Sequence, residues 1–490
     1  MSSGRTIPRP SGRPGPARLR DVPGDHTRHP VVPAKPKRSG DNWPHTNRVL
    51  PWLIACFIAM LWLIPFDTIQ LTVSLPFDLH LDRIILPFVL LAWGLVFAGK
   101  RRGAIRFQLT PIHAAIGVFV LVAFLSVLVN GDALTHALLI KDTIKQLLLL
   151  CSYVAFFMVV TTTVRATEIR AFLNYTLILA VITALGTLVE FRFHYNPFYQ
   201  LSGQIFPASL FKVGQAYSSG LVDEIGRTVI LGPGEVGLEV ASMLAMAIPI
   251  AVVGLLHAET RKARILYGLA ACAILAAGLS TDEKTSLVAP LIGIVSVIAF
   301  RPRFASRLLP LAVVMVIAAH ALAPGALGSV TEQFSGSRLG AVGTTQHRQD
   351  GYDAIRPLVW SNPVLGMGYG SYNGVLNRIL DNQMLDNLIN TGVVGEVVYV
   401  MMPLVVVGTA FPLIRRRRHI YSRDALAAGV CAIVFLTVSI IFDDMSFPHV
   451  PYIFLTSAAF VAVLYQQSTI DELGKASRKP LHPTAPRAVN

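Results

Sequence analysis

Long apolar runs alternate with short polar breaks along this chain, and the lengths of the runs set the architecture. A helix needs about 20 mostly apolar residues to cross the hydrocarbon core of a bilayer. Runs of that kind fall at about 49–66, 83–99, 111–130, 144–164, 168–193, 233–257, 263–281, 284–300, 308–324, 391–414, 424–442 and 448–465. The pattern predicts an all-α polytopic membrane protein with about twelve transmembrane helices. Two polar segments between the runs are long, 194–232 and 325–390. The expected organisation is a tail at 1–48, a transmembrane domain at 49–465 that includes those two loops, and a C-terminal tail at 466–490. Apolar runs flank each loop on both sides, so the loops' polar groups must sit at a membrane face.

Charge orients the runs. Lys100 to Arg102, Arg261 to Arg264, Arg301 to Arg307 and Arg415 to Arg418 fall on alternate connections, on the same side as both termini. Cytoplasmic loops carry the excess of Lys and Arg, so both termini are expected in the cytoplasm and the two long loops outside. The segment 1–48 is basic and rich in proline, and it contributes much of the net charge of +14. It reads as a disordered cytoplasmic tail near anionic lipid rather than a nucleic-acid-binding element. It is too long before the first apolar run to be a signal peptide.

Composition agrees: 53% of residues are hydrophobic and 14% charged, against about 25% charged in an ordinary soluble domain. Cys56, Cys151, Cys272 and Cys431 all lie inside apolar runs without ligand spacing. No disulfide, metal site or cofactor is expected from them.

Cations on the outer side are fewer: Arg83, Lys141, Lys145, Arg192, Lys212, Arg227, Lys284, Arg338, Arg348, Arg356 and Arg378. Any one of them can snorkel to a lipid headgroup at little cost. Clustering with the polar loop at 325–390 marks Arg348 first, then Lys284 and Arg227, with Arg338 behind them, as candidates for holding an anion. Within that loop, Asn362-Pro363 and Gly366, Gly368 and Gly370 form a run of turn residues. No βαβ context surrounds the Gly-x-Gly, so a nucleotide site is not expected. The glycines instead let the backbone fold tightly against helix ends or approach a ligand. Leu385, Leu388 and Ile389 share one face of a short amphipathic helix that runs into the span at 391–414, with Asp381 and Asn382 placed to cap its start. Ser280 to Thr285 is a tight hairpin between two spans. Glu235 and Glu239 stand one turn apart on the sixth run, Glu396 lies just within the tenth, and Asp443 and Asp444 precede His449. These carboxylates sit near outer helix ends and are read as support for the arginines.

Taken together, Arg348, Trp360, the Asn362–Gly370 turn and Asp381-Asn382 followed by Gly392-Val393-Val394-Gly395 resemble the signature of the bacterial O-antigen ligase and polymerase superfamily, which includes exopolysaccharide polymerases. The hairpin Ser280-Thr281-Asp282-Glu283-Lys284-Thr285 is similar to a further element of that pattern. Asp381 departs from it, since relatives place a His there. The resemblance covers about residues 227–400. It implies a GT-C-like helical bundle in the bacterial inner membrane that transfers a glycan from a polyprenyl (undecaprenyl) diphosphate carrier to an acceptor glycan, by an inverting, metal-independent route without cofactor. Transfer to a lipid or other terminal acceptor is the ligase alternative. With it, Arg348, Arg227, Lys284 and Arg338 are expected to hold the diphosphate, Asp381, in place of the family's His, to be catalytic together with Arg348, and Asn382, Gly392 and Gly395 to support them, as Glu239 does from its place near an outer helix end. Neither nucleic acid nor a particular protein partner is indicated. A secondary transporter or flippase with Glu235, Glu239 and Glu396 as its sites is the competing class. The weight of polar residues in one loop, rather than at mid-span, speaks against it.

Overall fold

The computed structural model describes residues 42–72, 80–99, 108–213, 229–283, 285–306, 355–372, 382–416, 419–442 and 445–476, with isolated positions at 308, 310, 313, 317, 353 and 380. The chain is a helical, multi-pass membrane protein. Its helices are α1 (Val49–Leu63), α2 (Leu81–Gly99), α3 (Pro111–Val129), α4 (Gly131–His136), α5 (Ile140–Thr163), α6 (Ile169–Phe193), α7 (Pro197–Ile205), α8 (Gly237–Leu256), α9 (Arg261–Ser280), α10 (Thr285–Phe300), α11 (Gln383–Arg415), α12 (Ser422–Ser439) and α13 (His449–Ala476). Among the described residues, nine of these are long and apolar enough to cross a membrane. Helices α1 and α10 are apolar but shorter, at 15 and 16 residues. The run expected at 308–324 lies almost wholly outside the described residues.

Local sequence sets the helix starts. Pro111 occupies the first turn of α3, where its missing N–H costs nothing, and Thr110 and His113 cap that turn reciprocally. Asn196 does the same for α7, accepting from Phe198 N at 2.9 Å and Tyr199 N at 3.2 Å, with Pro197 next in line. Thr260 accepts from Ala263 N at 3.1 Å to open α9.

The centre of the bundle is α8. Its apolar window is 89% buried, against 22% for α2 at the rim. Helix α8 is hydrophobic on every side, and Ala241, Ser242, Ala245, Ala247 and Ala251 keep its surface thin. Small residues of this kind let membrane helices approach closely, where dispersion rather than water exclusion drives association. Helix α12 repeats the device with Ala425, Ala427, Ala428, Gly429 and Ala432, all buried. A Cβ at Gly429 would stand 2.9 Å from Ala410 Cβ of α11, so glycine sets how near those two helices come.

Several expectations need correction. Glu235 is not on the sixth span with Glu239: α8 begins at Gly237 after an extended Val236, and the Glu235 N–H donates to Glu239 Oε2 at 2.8 Å. The short helix does run into the span expected at 391–414, and α11 covers both, with a break at Gly392 that the pattern did not predict. The last helix runs on past residue 465 to Ala476, where Gln467 donates to Asp471 at 2.9 Å and Glu472 pairs with Arg416. Polar helix formers carry it beyond the apolar run. The all-α description also omits a two-stranded antiparallel ribbon of β1 (Ile69–Leu71) and β2 (Phe211–Val213), with Gln70 opposite Lys212.

That ribbon ties the connection after α1 to the one after α7. The described residues of the connections, 64–72, 130–139, 194–213, 229–236, 281–283, 362–372, 440–442 and 445–449, all lie at this end of the bundle, called here the ribbon end. At the opposite end, Glu168 is fully buried, accepts from Trp43 N and Arg165 N at 2.9 Å each, and pairs with Arg48.

Candidate functional site

The glycine turn and the break in α11 are one structure. At Gly392 (φ 67°, ψ −168°) the helix leaves its regular path, which frees the carbonyls of Ile389 and Asn390 and the N–H groups of Val393 and Val394. The turn takes all four. Met367 N donates to Ile389 O at 2.8 Å and Gly368 N to Asn390 O at 3.0 Å. On the other side of the break, Val393 N donates to Pro363 O at 2.9 Å and Val394 N to Val364 O at 3.3 Å. Backbone groups at this depth must be satisfied inside the protein. The two glycine-bearing motifs therefore require each other. A Cβ at Gly366 would lie 2.5 Å from Ile389 O, and one at Gly392 would run into the Val364 carbonyl. Gly395 is buried below the break, and a Cβ there would meet the Thr391 side chain.

Helix α3 supports the turn from behind. Ser126 Oγ reaches both Leu365 O at 2.6 Å and Asn390 O at 2.7 Å, and Asn130 Nδ2 donates to Gly366 O at 3.0 Å.

Above the break, the first two turns of α11 carry a polar cluster. Asn382 caps the helix by accepting from Met384 N at 2.9 Å, the role expected for it. Asn390 Nδ2 donates to Asp386 Oδ1 at 2.7 Å, and its Oδ1 accepts from Tyr372 N at 3.0 Å. Gln383 Nε2 donates to Asn387 Oδ1 at 3.1 Å and to Asp386 Oδ2 at 3.3 Å. Its Oε1 accepts from Met445 N at 2.8 Å, which joins α11 to the connection before α13. From Met445 the polar layer continues inward: Tyr153 OH donates to Met445 O at 3.3 Å, the Tyr153 ring meets Tyr452 edge-on at 4.7 Å, and Tyr452 OH reaches Asp82 Oδ2 at 3.5 Å. Arg83 stands beside Asp82 at the start of α2.

The layer ends in a buried trio from three distant segments. His449, the first residue of α13, places Nδ1 2.7 Å from Glu239 Oε1 and 3.8 Å from Asp67 Oδ2, and all three side chains are buried. His449 Nε2 lies 3.3 Å from Ile64 O. That carbonyl can only accept, so Nε2 carries a hydrogen. The carboxyl of Asp67 is held well above the ordinary carboxylate range, by burial first and by the neighbouring Glu239, with His449 opposing. Full burial of His449 and Glu239 keeps them from any solvated hydroxyl, so they position structure rather than act on a substrate. Another buried carboxylate, Glu190, accepts from Leu231 N at 3.1 Å and Gly232 N at 2.7 Å, which fixes the approach to α8.

Of the residues singled out from sequence, the structure brings Gly392 and Gly395 to the turn and places Asn382 at the start of the same helix. Glu239 it places in the trio, where its partner is a histidine rather than an arginine. Asp381, Arg348, Arg338, Arg227 and Lys284 lie outside the described residues. The hairpin ahead of Lys284 lies against the start of α8, with Glu283 Oε1 3.6 Å from the position a Gly237 Cβ would take.

Sequence reasoning passed over Asp67, Asp386, Gln383 and Asn390, and gave His449 no role. The apolar run ending in Ile64-Pro65-Phe66-Asp67 was a signal for the first of these, since a carboxylate at the end of a span needs a partner. The pairing with His449 spans most of the chain and has no local trace. Compared with known proteins, the chain matches no family model, and no curated protein is significantly similar to it.

Proposed function

We propose that this protein is an outer-face glycosyltransferase of the bacterial cytoplasmic membrane, with about twelve spans in a GT-C-like arrangement and both termini inside. It transfers a glycan from a polyprenyl diphosphate carrier to an acceptor glycan, as a polysaccharide polymerase does. The observation that carries this reading is the interlock of the Asn362–Gly370 turn with the Gly392 break. Two of the motifs behind the superfamily resemblance, the Asn362–Gly370 turn and Gly392–Gly395, are thereby built into one unit at the ribbon end.

The chemistry follows from the leaving group. The acceptor hydroxyl oxygen attacks the anomeric carbon from the face opposite the diphosphate, the carbon–oxygen bond to phosphate breaks, and the hydroxyl proton passes to a nearby base. Charge building on the departing diphosphate must be met as it forms. Guanidinium groups suit this, since they pair two phosphate oxygens at once and keep their proton. One cation about 4 Å away at an effective dielectric of about 20 contributes roughly 4 kcal/mol before desolvation. Arg348, Arg227, Lys284 and Arg338 take that role, and Asp381 receives the proton. An ordinary carboxylate, with a pKa near 3.9, is a weaker base than imidazole near 6.5. Asp381 therefore works by holding the hydroxyl as much as by deprotonating it.

The placement of charge favours an enzyme over a transporter. Among the described residues, every buried acidic or basic side chain lies at or near a helix end: Asp67, Asp82, Glu190, Glu239 and His449 at the ribbon end, Glu168, Arg301 and Asp424 at the other. A transporter places such groups near the bilayer midplane.

The test is carried out in cells, with Arg348→Ala and Asp381→Asn. Both are expected to accumulate single lipid-linked repeat units on the outer leaflet and to lose polymer. Units retained on the inner leaflet would point to the transporter instead, and full-length polymer from both variants would overturn the assignment of these residues.

A further inference from the structure

The trio of Asp67, Glu239 and His449 is more than a hydrogen-bonded cluster, because one of its members has nothing to bond to. Asp67 is only 7% exposed and both of its carboxylate oxygens lack a hydrogen-bond donor. Oδ2 lies 3.8 Å from His449 Nδ1, too far for a hydrogen bond. A buried carboxylate without donors is costly, and a bound cation would relieve that cost. One donor atom from each of the three residues lies within 4.8 Å of the other two.

We infer that Asp67, Glu239 and His449 form a binding site for one divalent transition-metal ion of the zinc class. Three features support this. The first is the donor set: imidazole nitrogen with carboxylate oxygen suits zinc and its neighbours rather than magnesium or calcium. The second is spacing. Bonds of about 2.0–2.1 Å in a tetrahedral shell put ligand atoms about 3.3 Å apart. The observed separations of 2.7 Å and 3.8 Å from Nδ1 straddle that value. The third is the outer shell. A metal-bound histidine donates its other ring N–H to a carbonyl or carboxylate, and metal-bound carboxylates are themselves hydrogen-bonded. Here His449 Nε2 faces Ile64 O, and Glu239 Oε2 accepts from Glu235 N.

Two carboxylates and a neutral imidazole would carry a charge of −2, which a divalent ion neutralises. The ion would replace the proton that otherwise occupies the short Nδ1–Oε1 contact. Its role is to clamp three segments at the ribbon end: the connection after α1, the first turn of α8 and the start of α13. The expected absence of metal rested on cysteine spacing and on the resemblance, and neither bears on a site built from residues as far apart as Glu239 and His449, 210 positions. This inference goes beyond the proposed glycosyl transfer, and no step of that transfer passes through the metal.

The test uses the full chain purified in detergent, stripped with chelator, incubated with zinc chloride or cobalt chloride and desalted. Wild type is expected to retain about one equivalent of zinc, and Asp67→Asn and Glu239→Gln to bind at least about tenfold more weakly. The cobalt form of wild type should show the visible bands of a low-symmetry nitrogen and oxygen site, absent from both variants. Equal zinc retention by wild type and the two variants would overturn the site. Should neither variant fold, as judged by gel filtration, the wild-type cobalt spectrum decides, and the spectrum of hexaaqua cobalt alone would overturn it. None of these readouts depends on transfer activity, so their failure leaves the functional proposal standing, and loss of transfer in the Arg348 variant leaves the metal site standing.

Discussion

Gly392 holds a φ of 67° with a ψ of −168°, a combination essentially reserved for glycine. Gly392→Ala should therefore cost about 1–3 kcal/mol in strain alone, with the Val364 carbonyl adding a clash. Gly408, lower in the same helix, has open space where its Cβ would be, so Gly408→Ala should be close to neutral. Thermal unfolding of the two variants in detergent separates them, and equal melting temperatures would refute the interlock. A pH effect belongs to this scale as well. His257, just past α8, keeps its imidazole below the usual value, by burial first and by Arg423, Arg301 and Arg303 in the same sense, against a hydrogen bond with Val253 O. A histidine neutral in the fold but free to protonate when unfolded leaves stability intact above its unfolded pKa of about 6.5. Stability is then lost as pH falls through that value toward the lower folded one. The melting temperature of His257→Gln should consequently drop less than wild type's on acidification from about pH 7.5 to 5; parallel drops would contradict this.

At the scale of elements, Arg301 shows how an end of the bundle is closed. Buried after α10, it donates through Nη2 to Ile414 O at 2.7 Å and Ser422 Oγ at 2.5 Å, which satisfies the last turn of α11 and locks it to the first turn of α12. Arg301→Leu should cost about 1.5–3 kcal/mol, the range for hydrogen bonds from a charged donor. An unchanged melting temperature would show that the carbonyl finds another partner. Helix positions of this kind were largely legible in the sequence, because span length is dictated by bilayer thickness and leaves a hydropathy trace. The cap at Asn382 was legible for a different reason: capping is a local contact between a side chain and N–H groups two or three residues on. The ribbon of β1 and β2 was not, since three-residue strands are too short to show alternation and pair only once α1 and α7 are in place. Glu235 was assigned to a helix because its spacing from Glu239 matches one turn, yet Gly232-Pro233-Gly234 delays the helix start. The trio at His449 escaped because only the packing of α1, α8 and α13 brings it together.

For the whole molecule, the proposed orientation has a direct check. In a background with the four native cysteines replaced, Ser361→Cys, exposed beside the turn, should react with an impermeant maleimide in intact cells. Arg303→Cys, exposed at the opposite end, should react only after permeabilisation. The reverse pattern would invert the topology and end the outer-face reading. The candidate site itself was legible as motifs but not as geometry. Nothing in the spacing of Asn362–Gly370 and Gly392–Gly395 says that one is threaded into the other. That threading limits how the protein can move. Swinging the 362–370 segment away would strip four main-chain hydrogen bonds at once and leave a severed helix with bare peptide groups, so the segment cannot serve as a flap. Any ligand that reaches the ribbon end must therefore enter past some other part of the surface, with this wall held shut.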